Sequence, residues 1–324
     1  MVRTFMIENS KIVETNHNSA NILVYIHPDE SERQYLVDTY KLDEHTLAST
    51  LDPDELARLE FEPDHAAFIG KRPKNYSGKE QFLFRVSSYG IFLFKDRLIF
   101  IIAEDYPIFD GKLFNKCASV QDVVLKLIYQ TIFHYLDHLK IINMISEALE
   151  HKINASMENT YLLNLFSLEK SLVYYVNAIH TNGVVLEKIR NGTSKIGFTA
   201  EQIEILDDII IENNQCFRQA EIYANILAGL MDARASIVNN NLNNLIKQLT
   251  IISVVFMPLN IIASMGGMSE FSVLTKGFPP LLSYGLFSIS MAGIGYLTYL
   301  IIKRITEGKD VRIARQQKKE RRTR

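Results

Sequence analysis

Cysteine occurs only twice in 324 residues, as Cys117 and Cys216, far apart in the chain. That excludes a disulfide framework and fits a reducing compartment. Net charge is nearly absent as well. Lys and Arg number 35 against 37 Asp and Glu, which leaves -2, so no global field recruits nucleic acid and any electrostatic argument must be local. Enzyme fingerprints are missing too: the sequence holds no P-loop, no dinucleotide-binding glycine pattern and no nucleophile and base pair, so an enzyme is not expected. The opening residues, MVRTFMIENSKIVE, lack an apolar core of signal-peptide length, and the first part of the chain is expected to stay in the cytosol. Hydrophobic residues are plentiful, at 47%, and the length suits about two domains with a real core.

Those hydrophobic residues are unevenly spread. Residues 281–302, LLSYGLFSISMAGIGYLTYLII, carry no charge and match the roughly 20 residues that cross a bilayer core as a helix. A second uncharged run covers residues 249–269; it is less apolar because it holds Thr250, Ser253, Asn260 and Ser264, and it reads as another span. The segment after the second span, KRITEGKDVRIARQQKKERRTR, is dense in Lys and Arg, whereas the connector GGMSEFSVLTKGFPP holds only Glu270 and Lys276. The positive-inside rule therefore puts the basic tail in the cytosol, and two spans return the chain to its starting side. The expected setting is the cell inner (plasma) membrane with both termini cytoplasmic.

Ahead of the spans the pattern divides in two. Up to residue 116, the runs ANILVYIHP, FLFRVSSYGIFLF and RLIFIIAED read as strands, the last two joined by a Lys95-Asp96 turn. Between them LDEHTLASTLDPDELARLE reads as short surface helices broken at Pro53. This is a small α/β domain over residues 1–116. Residues 117–248 are helical. Ser119 to Asp122 has capping-box spacing ahead of one long helix, a second covers about 160–190 and stops at Asn191-Gly192, and Thr199 with Gln202 caps a third that meets no break before the membrane. On this third helix Ile203, Leu206, Ile210, Asn213, Phe217, Ala220, Ala224, Leu227 and Met231 fall at steps of three and four, the average of 3.5 of a coiled-coil seam. Continued into the first span at about 1.5 Å per residue, the helix reaches about 100 Å. The fold class is thus an α+β membrane protein: α/β domain, helical stalk, first transmembrane helix at 249–269, extracytoplasmic loop at 270–280, second transmembrane helix at 281–302 and basic tail at 303–324.

The first span has a second line of interest. Asn243, Ile246, Leu249 or Thr250, Ser253, Met257, Asn260, Ser264 and Gly267 share one helical face. All the polar side chains of the run fall on it, and polar groups at membrane depth face protein or water because lipid cannot satisfy them. Such a face lines a pore or packs against another span; spacing alone leaves both open. Pro258 removes the backbone bond to the Val254 carbonyl and favours a bend.

With these residues together, the chain resembles the CorA-type divalent cation channels and transporters. Met257-Pro258-Leu259 matches the MPL of that family's first span, and Gly267-Met268 matches the start of its Gly-Met-Asn signature. The resemblance implies a homopentameric funnel in the lipid bilayer, with Asn243, Ile246, Leu249, Ser253, Met257, Asn260 and Ser264 facing a central pore and Gly267, Met268, Ser269 and Glu270 at the mouth. It implies Mg²⁺ as cargo, with Co²⁺ or Ni²⁺ possible, gating by cytosolic metal through the stalk, and Asp208 as a regulatory metal ligand. No cofactor beyond these divalent cations, and no nucleic acid, is implied.

The departure from the signature is Ser269, where the family has asparagine. A serine hydroxyl is an acceptor but shorter than an amide, and Glu270 would add a ring of carboxylates beside it. This opens two alternatives: the family's zinc-transporting branch, with Zn²⁺ as cargo, or a non-conducting membrane-anchored scaffold or sensor with the same fold. Asp208 also reads as a solvated acid beside Asp207. Finally, His134 and His138 sit one helical turn apart, a spacing able to hold a transition metal, although an ordinary helix face is the expected reading.

Overall fold

The computed structural model describes residues 1–15, 20–76, 82–155, 159–268, 273 and 276–320. Two compact units result, Met1–Asp232 and Ala233–Arg324.

The first unit is built on a seven-stranded sheet. Its strands are β1 (Val2–Glu8), β2 (Lys11–Glu14), β3 (Ile22–Ile26), β4 (Arg58–Phe61), β5 (His65–Pro73), β6 (Val86–Phe94) and β7 (Leu98–Ile102), in the order β2-β1-β3-β7-β6-β5-β4. Only β3 and β7 run parallel, with Ile22 opposite Leu98 and Ile26 opposite Ile102. Side chains alternate across the sheet as the two-residue strand period requires. Ile22, Val24 and Ile26 of β3 and Leu98, Phe100 and Ile102 of β7 enter one core, while Leu23, Tyr25, Ile99 and Ile101 enter the other.

Two short helices cover the second face. Helix α1 (Glu30–Tyr40) starts at a complete capping box, Asp29 with Glu32, and α2 (Glu44–Ser49) starts at Asp43, whose carboxylate accepts from the Thr46 N–H. Between them they bring Leu36, Leu42 and Leu47 onto Ala67 and Phe92. The other face carries two long helices, α3 (Val120–Ala155) and α4 (Asn159–Asn191), on which, after the one-turn α5 (Thr193–Ile196), α6 (Ala200–Gly266) packs. The expected strands and the three helix starts all appear, and β1, β2, β4, β5 and α1 come in addition.

Two of those starts are locked together. Asp122 and Ser119 cap α3 reciprocally, Gln202 and Thr199 cap α6 in the same way, and the Gln202 amide also donates to Asp122 Oδ1 at 2.6 Å and Ser119 Oγ at 3.0 Å. The first turn of α6 is thereby fixed to the first turn of α3.

The seam on α6 has its partner within the chain. Leu206, Asn213, Ala220 and Leu227 are buried and belong to the same core as α3, α4 and the sheet, and Asn213, the one polar member, donates to the Ile179 carbonyl of α4 at 3.2 Å. The 3.5-residue period is real, but the surface it meets up to Met231 is intramolecular. Nor does the core divide at residue 116, since β5 and β6 pack directly on α3 and α4.

The second unit holds the end of α6 and α7 (Pro280–Glu320). Helix α6 closes at Gly266, where Gly267 N–H donates to the Ala263 and Ser264 carbonyls and Met268 N–H to Met265. Gly267 and Met268 therefore lie just past the helix that was expected to run to 269. Helix α7 continues beyond its apolar part, so the backbone of the basic tail is helical as far as Glu320.

Candidate functional site: a bare polar face on the first span

Both apolar helices are long enough to cross a membrane, with their apolar parts ending at Met265 and Arg304. They also lie against each other. On α6 the half-buried positions are Ile251, Val255, Pro258, Leu259 and Ile262; on α7 they are Ser283, Phe287, Met291, Ile294, Gly295 and Thr298. Both sets follow steps of three and four, the signature of one helix face. The contact is close at Gly295, where a Cβ would lie 3.2 Å from Leu259 Cδ1. Small residues allow this approach between membrane helices.

This packing bears on the question that spacing left open. Asn243, Ile246, Leu249, Thr250, Ser253, Met257, Asn260, Ser264 and Gly267 are all exposed. Positions 253, 257, 260 and 264 are offset by two residues from 251, 255, 258 and 262, which is about 200° around a helix. The polar face thus points away from the second span. The two spans pack through apolar residues on the other side, Pro258 and Leu259 among them.

The chemistry of the bare face is that of acceptors. The Thr250 hydroxyl donates to the Ile246 carbonyl at 2.8 Å and the Ser253 hydroxyl to the Leu249 carbonyl at 3.0 Å. Each proton is held by the helix itself, leaving oxygen lone pairs for whatever lies outside. Met257, 63% exposed, sits between Ser253 and Asn260 as the apolar side chain of that stretch. Met268 is exposed past the helix end, while Ser269 and Glu270 lie outside the described residues.

The first unit holds the other candidates. Asp208 is exposed on α6, on the strip that also carries Glu201 and Glu204. Its neighbour Asp207 is engaged instead by Arg190 of α4, through both guanidinium and carboxylate forks, with Nη2 to Oδ2 at 3.1 Å. Among the described residues no group of three or more His, Cys, Asp or Glu side chains could hold a metal ion. A cation at Asp208 would need ligands from outside one chain.

His134 and His138 are more than a helix face. Their Nε2 atoms are 3.1 Å apart, and His138, buried, places Nδ1 2.6 Å from the Tyr175 hydroxyl of α4. Burial pushes both imidazoles down to about 4, with the Arg72 guanidinium acting in the same direction. At neutral pH the pair is uncharged and joined by one shared proton. Sequence spacing located the pair but missed Arg72, which shows no signal beyond its place in an unremarkable strand.

A three-layer α/β unit followed by two packed apolar helices, one with its polar face left bare, defines a two-span membrane protein. The family can be stated as well: residues 18–304 match the model of the CorA-like Mg2+ transporter protein family, and the chain belongs to it. It is 24% identical over 220 residues to the cobalt/magnesium transport protein CorA of Methanocaldococcus jannaschii and 28% identical over 123 residues to that of Thermotoga maritima. These alignments take in 64% and 38% of this chain and 66% and 35% of the relatives, so the chain spans just under two thirds of the first and about a third of the second.

Among solved structures, the complete CorA magnesium transporter of M. jannaschii superposes with a TM-score of 0.73 at 19% identity, covering 94% of this chain and 96% of that one. The full-length CmaX protein gives 0.71 at 13% identity, covering 94% and 97%. The ZntB cytoplasmic domain of Vibrio parahaemolyticus gives 0.58 at 13% identity, covering 74% and 98%. At these identities the likeness is one of fold.

Proposed function

We propose that this chain is a divalent metal cation channel or transporter of the cell inner membrane, with Mg²⁺ as the principal cargo and Co²⁺ and Ni²⁺ as further ones. The observation that carries the reading is the acceptor-lined face of the first span turned away from the second. In a bilayer that face requires protein or water, and several copies arranged with it inward supply a wet path. The number of copies in this reading is five, as the resemblance implies. In this reading Asn243, Ile246, Leu249, Ser253, Met257, Asn260 and Ser264 line the path, Met257 is its dewetting constriction, and Gly267, Met268, Ser269 and Glu270 receive the ion at the outer mouth. The large unit and both termini are cytoplasmic, and metal held at Asp208 between copies closes the path.

Zinc is the second reading. It is favoured by the fold shared with the ZntB cytoplasmic domain and by Ser269 standing where an asparagine is expected.

The test is ion uptake into liposomes carrying the purified protein, with Mg²⁺, Co²⁺, Ni²⁺ and Zn²⁺ compared with empty vesicles. Flux is expected in wild type, lost in Asn260→Leu on the bare face and kept in Ile252→Leu, which is exposed on a different side of the same helix. No flux of any of the four ions would leave a non-conducting scaffold or sensor. Equal flux in the two variants would remove the bare face from the path.

A further inference from the structure

Two consecutive cations at the end of β5 are buried on opposite faces of the sheet, and the chain treats them differently. Lys71, 4% exposed, is surrounded by acceptors: its ammonium donates to the Pro53 carbonyl at 2.6 Å, to Ser88 Oγ at 2.9 Å and to the Asp52 carbonyl at 3.5 Å. Arg72, 6% exposed, has no carboxylate within 4 Å and no side-chain hydrogen bond among the described residues. Its guanidinium lies 3.4 Å from the ring centroid of Tyr106, and its charge is felt by the neutral His134 and His138. None of the Arg72 nitrogens is among the described buried polar atoms shut off without a partner, so the charge reaches solvent at an open edge, where an anion can pair with it.

Arg72 opens onto a cavity of about 220 Å³ that it lines with Asn75, Tyr106, Gln130, Thr131 and His134. The space is below the roughly 300–1,000 Å³ of pockets that take drug-sized molecules. None of these six residues is acidic. Asn75 and Gln130 offer amide N–H groups and Tyr106 a hydroxyl, while the Thr131 hydroxyl donates to the Leu127 carbonyl at 3.0 Å. A guanidinium flanked by neutral donors, with its face covered by an aromatic ring and its edge open, is the arrangement that recognises planar or tetrahedral oxyanions through paired N–H bonds.

From this arrangement we infer that the pocket between β5 and α3 is a binding site for a small oxyanion of the phosphate or carboxylate class, with Arg72 supplying the charge and Asn75 and Gln130 the flanking donors. Neutral imidazole at His134 leaves room for the anion without adding a second cation. The site lies in the first unit and shares no residue with the ion path proposed above.

The experiment uses the full chain in detergent, in chelating-resin-treated buffer, and follows the thermal midpoint by circular dichroism. Inorganic phosphate and sodium acetate are titrated separately, with sodium chloride at matched ionic strength as the control. A saturable rise with phosphate or acetate over chloride is expected, since a ligand that binds only the folded state stabilises it by mass action. Whichever anion saturates first identifies the source. Arg72→Gln should weaken the response about tenfold or more. Gln130→Glu places a carboxylate in the pocket itself; it should start from a higher midpoint and lose the response, which keeps the test valid if Arg72→Gln fails to fold. No saturable rise over chloride in wild type, or an undiminished rise in Gln130→Glu, would overturn the proposal.

Discussion

Lowering the pH from 7 to 5 should destabilise the first unit through one identifiable pair. His134 and His138 are held down to about 4 by burial, against 6.5 in the unfolded chain. The groups facing them are Arg72 from β5, which disfavours protonation, Asp137 on the same helix, which favours it, and Tyr175 from α4, which is bonded to His138. The folded values are depressed, so the stability is fully present above 6.5 and is lost as pH falls from 6.5 toward 4, because the unfolded chain takes up protons that the folded one refuses. Between 6.5 and 5 this amounts to 1.5 units at about 1.36 kcal/mol each, or about 2 kcal/mol per histidine. Because the two rings share a proton, the pair contributes roughly 2–4 kcal/mol.

For a unit of this size that loss moves the thermal midpoint by roughly 5–10 °C. The assay is the midpoint of the detergent-solubilised full chain at intervals from pH 7.5 to 4.5, in wild type and in the double variant His134→Leu with His138→Phe. The variant starts from a different midpoint because the Tyr175 hydroxyl loses its bond to His138, so the quantity compared is the slope and not the starting value. Wild type should fall more steeply than the variant below pH 6.5. Parallel slopes would refute the reasoning, because the remaining acid sensitivity would then belong to carboxylates that both proteins share.

Ser171→Ala should cost about 1–3 kcal/mol, because the buried Phe84 N–H, now 2.9 Å from Ser171 Oγ, is left without an acceptor; a change under about 0.5 kcal/mol in denaturant unfolding would mean that water reaches the amide. Gly295→Val should loosen the pairing of the two spans, since its Cβ would meet Leu259 Cδ1 at 3.2 Å, at about 1–3 kcal/mol for overpacking; an unchanged midpoint and oligomer profile in detergent would contradict that contact. Ser269→Asn should raise Mg²⁺ flux or tighten block by hexaamminecobalt, and if neither changes Ser269 is not at the filter. Asp208→Ala should weaken the dependence of opening on cytosolic Mg²⁺, a role that an unshifted dose response would rule out.

What could be read from the sequence was what local rules govern. The starts of α3 and α6 were visible in Ser119–Asp122 and Thr199–Gln202 because a capping box is a short-range pattern. The core strands β3, β6 and β7 were visible as apolar runs. Strand β5, HAAFIGKRP, was not: it mixes small, basic and proline residues, and its burial depends on partners distant in sequence. Asn182 of α4, for example, bonds both the N–H and the carbonyl of Lys71, at 2.9 and 2.7 Å. The same limit hid the oxyanion pocket, since nothing near Arg72 in sequence reveals that its charge is buried and Lys71's satisfied. At the mouth of the first span the opposite holds: Ser269 and Glu270 are conspicuous in sequence and lie outside the described residues.

Period tells which residues share a face, and it is silent on what covers that face. Two lines on α6 make the difference concrete. The line from Ile203 to Met231 has one polar member, Asn213, and that residue finds a carbonyl on α4, so the chain completes the seam by itself. The line from Asn243 to Gly267 gathers Thr250, Ser253, Asn260 and Ser264 of the span, and among the described residues nothing covers it, because α7 has taken the opposite side through Leu259 and Gly295. A polar group in lipid needs protein or water, and among the described residues the helix itself takes up only the protons of Thr250 and Ser253, leaving their oxygens open. In the proposed channel, other copies of the chain, or water held between them, supply the rest. The proposed ring of copies around a wet axis meets both needs at once, and it turns toward that axis the oxygens of Thr250 and Ser253 whose protons the helix already holds. That is a surface suited to cations, reached from the packing of two helices.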